Sequence, residues 1–310
     1  MSSRTEAQIM QGWDPAHAPR VSITCPAYNQ REYIAQTLDS FLAQETDFPF
    51  EILVNDDASS DGTAEIIAEY AQRYPRLVRP VFHAQNQYQQ GKYCFPALFN
   101  LARGRYIAYC DGDDFWCDPH KLQKQVSFLE AHPDYVITYH DAVVVDTQGE
   151  HGLQLGPQLR CDATGMDLLK GRRISTLTAV FRNVLHELPR ELEQAPMLDL
   201  CWWSLLGAHG KGKFMADITP GGYRVHCGGV FSMRSNKRKI HMSLQTHMAL
   251  ANYYQHQGDQ ALYEHYLVQV FGLALAAISP GQKLLALALM LRNVTFNLFR
   301  RLSVRATRAR

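Results

Sequence analysis

Apolar strand-like runs alternate with helical patterns along the first third of this chain, and that alternation constrains the fold more than any other feature. "VSITCP" (21–26) is followed by Ile34, Leu38, Phe41 and Leu42 at helical spacing, and "EILVN" (51–55) by Ile66, Ile67, Tyr70 and Ala71 on one helix face. "LVRPVF" (77–82) gives a third strand, placed near a sheet edge because Pro80 has no amide to donate to a ladder. A helical stretch from Phe95 to Ala102 then leads into a fourth strand beginning at Tyr106. Strand and helix in this order and at this spacing mean βαβ units, a mostly parallel sheet and right-handed crossovers. In such sheets ligands bind outside the carboxyl ends of the strands.

The unusual polar residues fall at those ends. "CPAYNQREY" (25–33) follows the first strand, "NDDASSDGT" (55–63) the second and "DGDDFWCDP" (111–119) the fourth. Asp, Ser and Gly are ordinary turn and cap residues, and capping is the better reading for Ser59, Ser60 and Asp61. Three such loops converging on one edge point instead to a site. The fourth strand runs directly into Asp111, Asp113 and Asp114, separated only by Gly112. Carboxylates that close repel one another, and an all-oxygen set suits a hard divalent ion such as Mg²⁺ or Mn²⁺.

Composition narrows the class. With 310 residues, 46% of them apolar, the chain can bury a sizeable core as one large domain with an appendage. A formal net charge of +1 argues against nucleic acid as a partner. Seven scattered cysteines, with no Cys-x-x-Cys pair, fit reduced thiols rather than a disulfide frame or zinc site. The first 20 residues contain no apolar core of a signal peptide, so the chemistry is expected to face the cytoplasm. The expected organisation is a tail over 1–20, a catalytic domain over 21–233 and a basic helical segment over 234–310.

"PAYNQREYIAQTLDSFLAQ", "DDASSDGT" and "DGDDFWCDPHKLQKQVSFLEAHPDY" together resemble the family 2 inverting glycosyltransferases, whose fold is the nucleotide-sugar-binding GT-A type. The resemblance continues more loosely through "STLTAVFR" (175–182), "LDLCWWSLLGAHGKGKF" (198–214) and "YRVHCGGVFS" (223–232). It implies a nucleotide diphosphate sugar as donor and a saccharide or lipid-linked saccharide as acceptor, in bacterial surface polysaccharide synthesis of the capsule, lipopolysaccharide or O-antigen kind. By the same resemblance Asp113 binds the metal and Asp111 lies near the ribose or a metal-bound water. Pro26, Ala27 and Tyr28 wall the base slot, and one of Asp56 and Asp57 reads the base, with Asp57 preferred. Asn29 and Glu32 are weaker candidates, and the segment 87–93 falls where the family has a loop near the donor.

The chemistry itself makes demands. Charge grows on the leaving diphosphate, which a metal ion or cation must offset. Inversion also needs a carboxylate across the sugar as general base. Asp199, at the start of the apolar run "LCWWSLLGA", is the candidate, with a helix N-cap as its competing role; Trp202 and Trp203 are expected to pack in the core. His226, between Arg224 and a double glycine, suits the metal or the diphosphate, while Arg224 either neutralises phosphate or forms a surface pair. Asp114 either joins the acidic set or caps the segment after it.

Two other readings compete. A sugar nucleotidyltransferase would want a glycine-rich phosphate loop with a basic residue after the first strand, which "CPAYNQ" lacks. A catalytically silent sugar-nucleotide-binding or scaffold protein is the other, against which Asp111, Asp113 and Asp199 argue. At the far end, His265 to Arg310 holds seven lysines and arginines and no acidic residue. Its apolar runs 266–278 and 284–291 are each shorter than the ~20 residues of a spanning helix, so the expectation is helices lying on or dipping into an anionic membrane, against a hairpin that packs on the catalytic domain or forms a dimer.

Overall fold

The computed structural model describes residues 4–14, 16–226, 228–229 and 234–278, with the side chains of 94–96 set aside. The chain begins with α1 (Glu6–Ile9), β1 (Val21–Ala27), α2 (Ile34–Leu42), β2 (Phe50–Asp56), α3 (Thr63–Arg73), β3 (Val78–Phe82), α4 (Cys94–Leu101) and β4 (Tyr106–Tyr109). Apart from α1, which falls in the stretch expected to be a tail, these are the units anticipated from the apolar runs. After them come α5 (Lys121–Ala131), β5 (Tyr135–Tyr139), β6 (Ala142–Asp146), β7 (Gly149–Leu153), α6 (Gly165–Leu169), β8 (Val180–Arg182), α7 (Leu198–Leu206), β9 (Lys211–Phe214), β10 (Gly221–Arg224), α8 (Asn236–His256) and α9 (Gln260–Ala277).

Seven strands form one sheet in the order β3-β2-β1-β4-β8-β5-β9, with β3 at the edge where Pro80 costs no central ladder bond. β1 pairs in parallel with β2 on one side and β4 on the other, and β8 is antiparallel to both of its neighbours. The chain therefore reverses its direction of travel across the sheet at β1 and β4, and a crevice opens beyond their carboxyl ends. The β1–β2 register sets Ala27 beside Asp56, which brings the first two polar loops together. A second sheet, β10-β6-β7, delivers Arg224 to the rim of that crevice.

The central strands are buried on both faces, as continuous apolar runs in a parallel sheet must be; Val21, Ile23, Ile52 and Val54 have no exposed surface. The N-terminal segment joins this core: Ile9 and Trp13 are buried, and the Trp13 ring sits edge-on to Phe50 at 5.0 Å. Trp202 and Trp203 pack in the core, as expected, in a second apolar cluster with Leu250, Tyr254, Leu262 and Tyr266. Ser204 ties that cluster together, its Oγ lying 2.7 Å from the Tyr254 hydroxyl and 3.0 Å from that of Tyr266. The α8–α9 hairpin thus rests on α7. Its outer face leaves Val268, Phe271 and Leu275 exposed. Among the described residues no helix is long and apolar enough to cross a membrane, and the run 284–291 lies outside them.

Candidate active site

The loops beyond β1 and β2 are stitched to each other by side chains. Asn29 adopts a left-handed conformation (φ 51°), which asparagine tolerates, and its Oδ1 accepts from the Ser60 amide at 2.9 Å while its own amide donates to Ser59 Oγ at 2.9 Å. Asp61 receives the Arg31 and Thr63 amides, so the residues read as turn and cap formers hold the turn. Pro26 is half-buried and Ala27 buried, whereas Tyr28 is 40% exposed at the mouth of the crevice. Glu32 is exposed and has no hydrogen-bond partner among the described residues.

Asp56 and Asp57 differ in what they hold. Asp57 accepts the amides of Gln87 and Tyr88 at 2.6 and 3.0 Å, so its carboxylate carries the start of the 87–93 loop. Asp56 Oδ2 accepts from Ser59, and its other oxygen is buried without a partner among the described residues. The preference for Asp57 as base reader thus meets a carboxylate already committed to the protein's own backbone.

The acidic turn after β4 is fixed from beneath. Thr37 Oγ1 donates to the carbonyl oxygens of Gly112 and Asp114, and the Gly112 amide donates to Pro26 O at 2.9 Å. Glycine at 112 leaves room for its neighbours: a Cβ there would displace the end of the Gln30 side chain, 2.4 Å away, and crowd Ala27 and Ile34 at 3.1 Å. Asp111 Oδ1 accepts from the Tyr109 hydroxyl at 2.8 Å and Oδ2 from Thr176 at 3.3 Å. Burial, then the charge of Asp113 and that of Asp199, push the Asp111 carboxyl up to about 7. Asp113 Oδ2 lies 2.9 Å from His226 Nε2, and the His226 ring is 4.5 Å from that of Tyr33.

Asp114 and Arg224 are tied to each other. Asp114 does not cap the following segment; its Oδ1 accepts the Arg224 amide at 2.8 Å, joining the turn to β10. Asp118 accepts the amide of His120, the N-cap residue of α5, at 2.8 Å. The Arg224 guanidinium is committed to Asp113 O and Gln36 Oε1, and lies over the Phe115 and Tyr33 rings at 4.6 and 5.0 Å, so it is neither a surface pair nor a free phosphate clamp. Burial and the neighbouring Asp113 and Asp111 charges raise the Asp114 carboxyl well above its usual range.

Asp199 sits in the first turn of α7, but Met197 is the N-cap residue and Asp199 does not cap. Burial raises its carboxyl, against the amides of Leu200 and Asp199 and the positive charge of Arg173, which favour the ionised form. Its charge reaches Asp111, and both act on Tyr223 together with Asp113 and Asp114, so the four carboxylates lie within electrostatic range of one another. Tyr109, Thr176 and Arg173 escaped the sequence reading. Thr176 lies within the "STLTAVFR" stretch, which was the available signal.

Behind the turn, Trp116 is held between Phe41, ring centres 4.6 Å apart, and the Nζ of Lys121, 4.2 Å above the indole. Lys121 is completely buried at the start of α5, donating to Gln125 Oε1 at 2.7 Å, and burial pulls its amine down to about 7.

A divalent cation fits this donor set only in part. Asp113 and His226 are already in contact, and the Asp113 charge bears on Asp111 two positions earlier in the chain. Among the described residues no group of three His, Cys, Asp or Glu side chains is placed to enclose an ion. Such a site suits an ion that keeps waters and substrate phosphates in its shell.

The comparisons with known proteins agree with this geometry. The family model described as glycosyl transferase family 2 matches residues 22–188. An uncharacterized protein of Mycobacterium tuberculosis is 37% identical over 226 residues, which are 71% of this chain and 63% of that protein. The putative glycosyltransferase EpsE of Bacillus subtilis is 33% identical over 141 residues, 46% of this chain and 49% of its own. The chain thus spans less than two thirds of the length of these relatives. Among solved structures, Staphylococcus aureus TarS 1-349 in complex with UDP-GlcNAc superposes with a TM-score of 0.55 at 19% identity, over 74% of this chain and 66% of that one. The mannosyltransferase PcManGT of Pyrobaculum calidifontis, in complex with GDP-Man and Mn²⁺, gives 0.52 at 19% identity, over 90% and 81%. The fold is therefore the GT-A type anticipated from the motifs, and the chain belongs to glycosyl transferase family 2.

Proposed function

We propose that this chain is a metal-assisted inverting glycosyltransferase that moves a sugar from a nucleotide diphosphate sugar to a hydroxyl of a saccharide or lipid-linked saccharide, in surface polysaccharide synthesis at the cytoplasmic face of the membrane. The observation that carries the reading is the gathering of Asp111, Asp113 and Asp199 within electrostatic range of one another beyond β4, with Asp113 held on His226. A bound Mg²⁺ or Mn²⁺ would offset charge on the leaving diphosphate, with Asp113 and His226 as its protein ligands. Tyr28, Pro26 and Ala27 form the wall against which a base rests, and Tyr109 and Thr176 fix the orientation of Asp111. Asp199 takes the acceptor proton, and its raised carboxyl is the better base for being less stabilised as an anion.

The test is turnover of UDP- and GDP-sugars by wild type and Asp199→Asn, with the anomeric configuration of the product read by NMR. The variant is expected to keep nucleotide affinity and lose roughly a hundredfold in turnover. Near-normal turnover, or retained configuration, defeats the assignment. Membrane association is part of the same proposal, supported by exposed Val268, Phe271 and Leu275 on α9 leading into the cation-rich sequence beyond it. Deletion of 281–310 is expected to abolish sedimentation with anionic vesicles at low salt; equal pelleting of the truncated chain defeats it.

A further inference from the structure

A groove of about 510 Å³ runs between the 91–93 loop with the neighbouring face of α4 and the segment 186–198 that leads into α7. Its polar lining includes Lys92, Asn100, Glu187, Arg190, Glu193 and Gln194. All six side chains are exposed, and among the described residues none of them hydrogen-bonds another protein group. At Asn29, Asp57 and Arg224, by contrast, side chains are spent on the protein's own backbone or side chains. Here a full set of donors and acceptors is left for something outside the chain.

Two further placements say what that is. Leu198 lines the groove, and the next residue along α7 is Asp199. The opposite wall follows from the turn that Asp57 suspends by the Gln87 and Tyr88 amides. The groove therefore lies between the donor-side loop and the helix that carries the proposed base. Tyr93 contributes a half-buried ring to the lining, a surface on which the apolar face of a sugar can rest. Its volume falls within the ~300–1,000 Å³ of small-molecule sites, enough for a short stretch of glycan.

We infer that this groove binds the acceptor, and that the acceptor segment it takes is a neutral polyhydroxylated glycan. The inference deepens the transferase reading and rests on it for the word acceptor. Charge selects the class. Lys92 and Arg190 are matched by Glu187 and Glu193, so a polyanion would meet carboxylates as well as cations and gain no net field. Sugar hydroxyls both donate and accept: they donate to the two carboxylates, accept from the lysine and arginine, and do both with the amides of Asn100 and Gln194.

The experiment uses the full chain, saturated with UDP or GDP and Mn²⁺, on an array of neutral oligosaccharides and of sulfated, phosphorylated and uronate-bearing ones. Binding to neutral glycans is expected, falling tenfold or more in Asn100→Ala and Gln194→Ala, with affinity for the fluorescent nucleotide kept within twofold. Both positions are exposed, so folding is not at stake, and circular dichroism checks this. Absence of neutral-glycan binding, binding confined to the anionic members, or binding unchanged in both variants overturns the inference. Release of nucleoside diphosphate from the sugar donor without acceptor is measured alongside. A chain that binds neutral glycans through the groove but never cleaves a donor keeps the groove and loses the transferase reading, whereas one that cleaves donor but ignores the groove variants does the reverse.

Discussion

The two ends of the central sheet each bury carboxylates, and they treat them in opposite ways. At the amino end of β2, Glu51 is wholly buried, yet its oxygens accept from Ser22 at 2.7 Å and from the Arg103 amide and Nε at 2.9 and 2.8 Å, with Arg79 also paired. Burial alone would push the Glu51 carboxyl up, but the bonds from Arg103, Ser22 and Arg79 hold it below its ordinary value. At the carboxyl ends, Asp111, Asp114 and Asp199 are all pushed up. One end has compensated its charge within the fold. The other has gathered negative charge faster than the chain supplies cations, which disfavours the unliganded protein and favours whatever positive group arrives.

The largest effect expected from breaking this contrast is at Asp113. Asp113→Asn is expected to abolish transfer and the metal dependence of nucleotide binding, measured by titration with and without Mn²⁺, while leaving the melting temperature unchanged or higher. A variant whose nucleotide binding still depends on metal would show that the acidic end serves some other purpose. At the opposite end Glu51→Gln is expected to cost about 3 kcal/mol, the scale for removing one partner of a buried ion pair, in urea unfolding. Nucleotide affinity of the folded fraction should not move.

Lys121 sharpens the comparison, since it is a buried cation near the acidic end that no carboxylate pairs directly. Its amine is pulled down to about 7 in the folded chain against an ordinary 10.5. Between those values the unfolded chain binds the extra proton, so stability from this group rises with pH from about 7 to 10.5; below 7 the amine is charged in both states and the full cost is present. Lys121→Met is expected to stabilise the protein by about 1–4 kcal/mol near neutral pH and to flatten that rise. Thermal melts across pH 6–10 read both. The smallest effect is at Ala58, held at φ 60° beside Asp57. Ala58→Gly is expected to gain up to about 1 kcal/mol by removing the left-handed penalty of a β-carbon.

How much of this was legible follows from where each signal lives. β1, β2 and β4 were readable because a doubly covered parallel strand is a continuous apolar run, and Asp111 and Asp113 because their spacing is local. β8 has three residues and β7 is "GEHGL", exposed throughout, so neither carries the period that would reveal it. The only local signal for Thr176 was the loosely matching "STLTAVFR" stretch around it, and it joins the site through tertiary approach, 65 residues from Asp111. The same applies to Asp114 and Arg224, whose bond spans 110 residues. The loop chemistry of Ser59 and Asp61 was foreseen as turn and cap formation because short polar side chains bond backbone close by, whereas Asn29, a weaker site candidate, serves the same turn.

The position of β8 has a consequence for how the protein is made. Its three residues, 180–182, sit between β4 and β5, antiparallel to each, so among the described residues no other ladder joins the two halves of the large sheet. A chain emerging from the ribosome can pair β3, β2, β1 and β4 early, but the exposed edge of β4 stays open until residue 182 has been added. Through that interval "YIAY" presents unpaired amides and carbonyls on a buried-type strand, the kind of edge that associates with other chains. Synthesis of the segment between them therefore sets a window of vulnerability, and a nascent chain arrested before β8 should recruit chaperones more strongly than one arrested just after it.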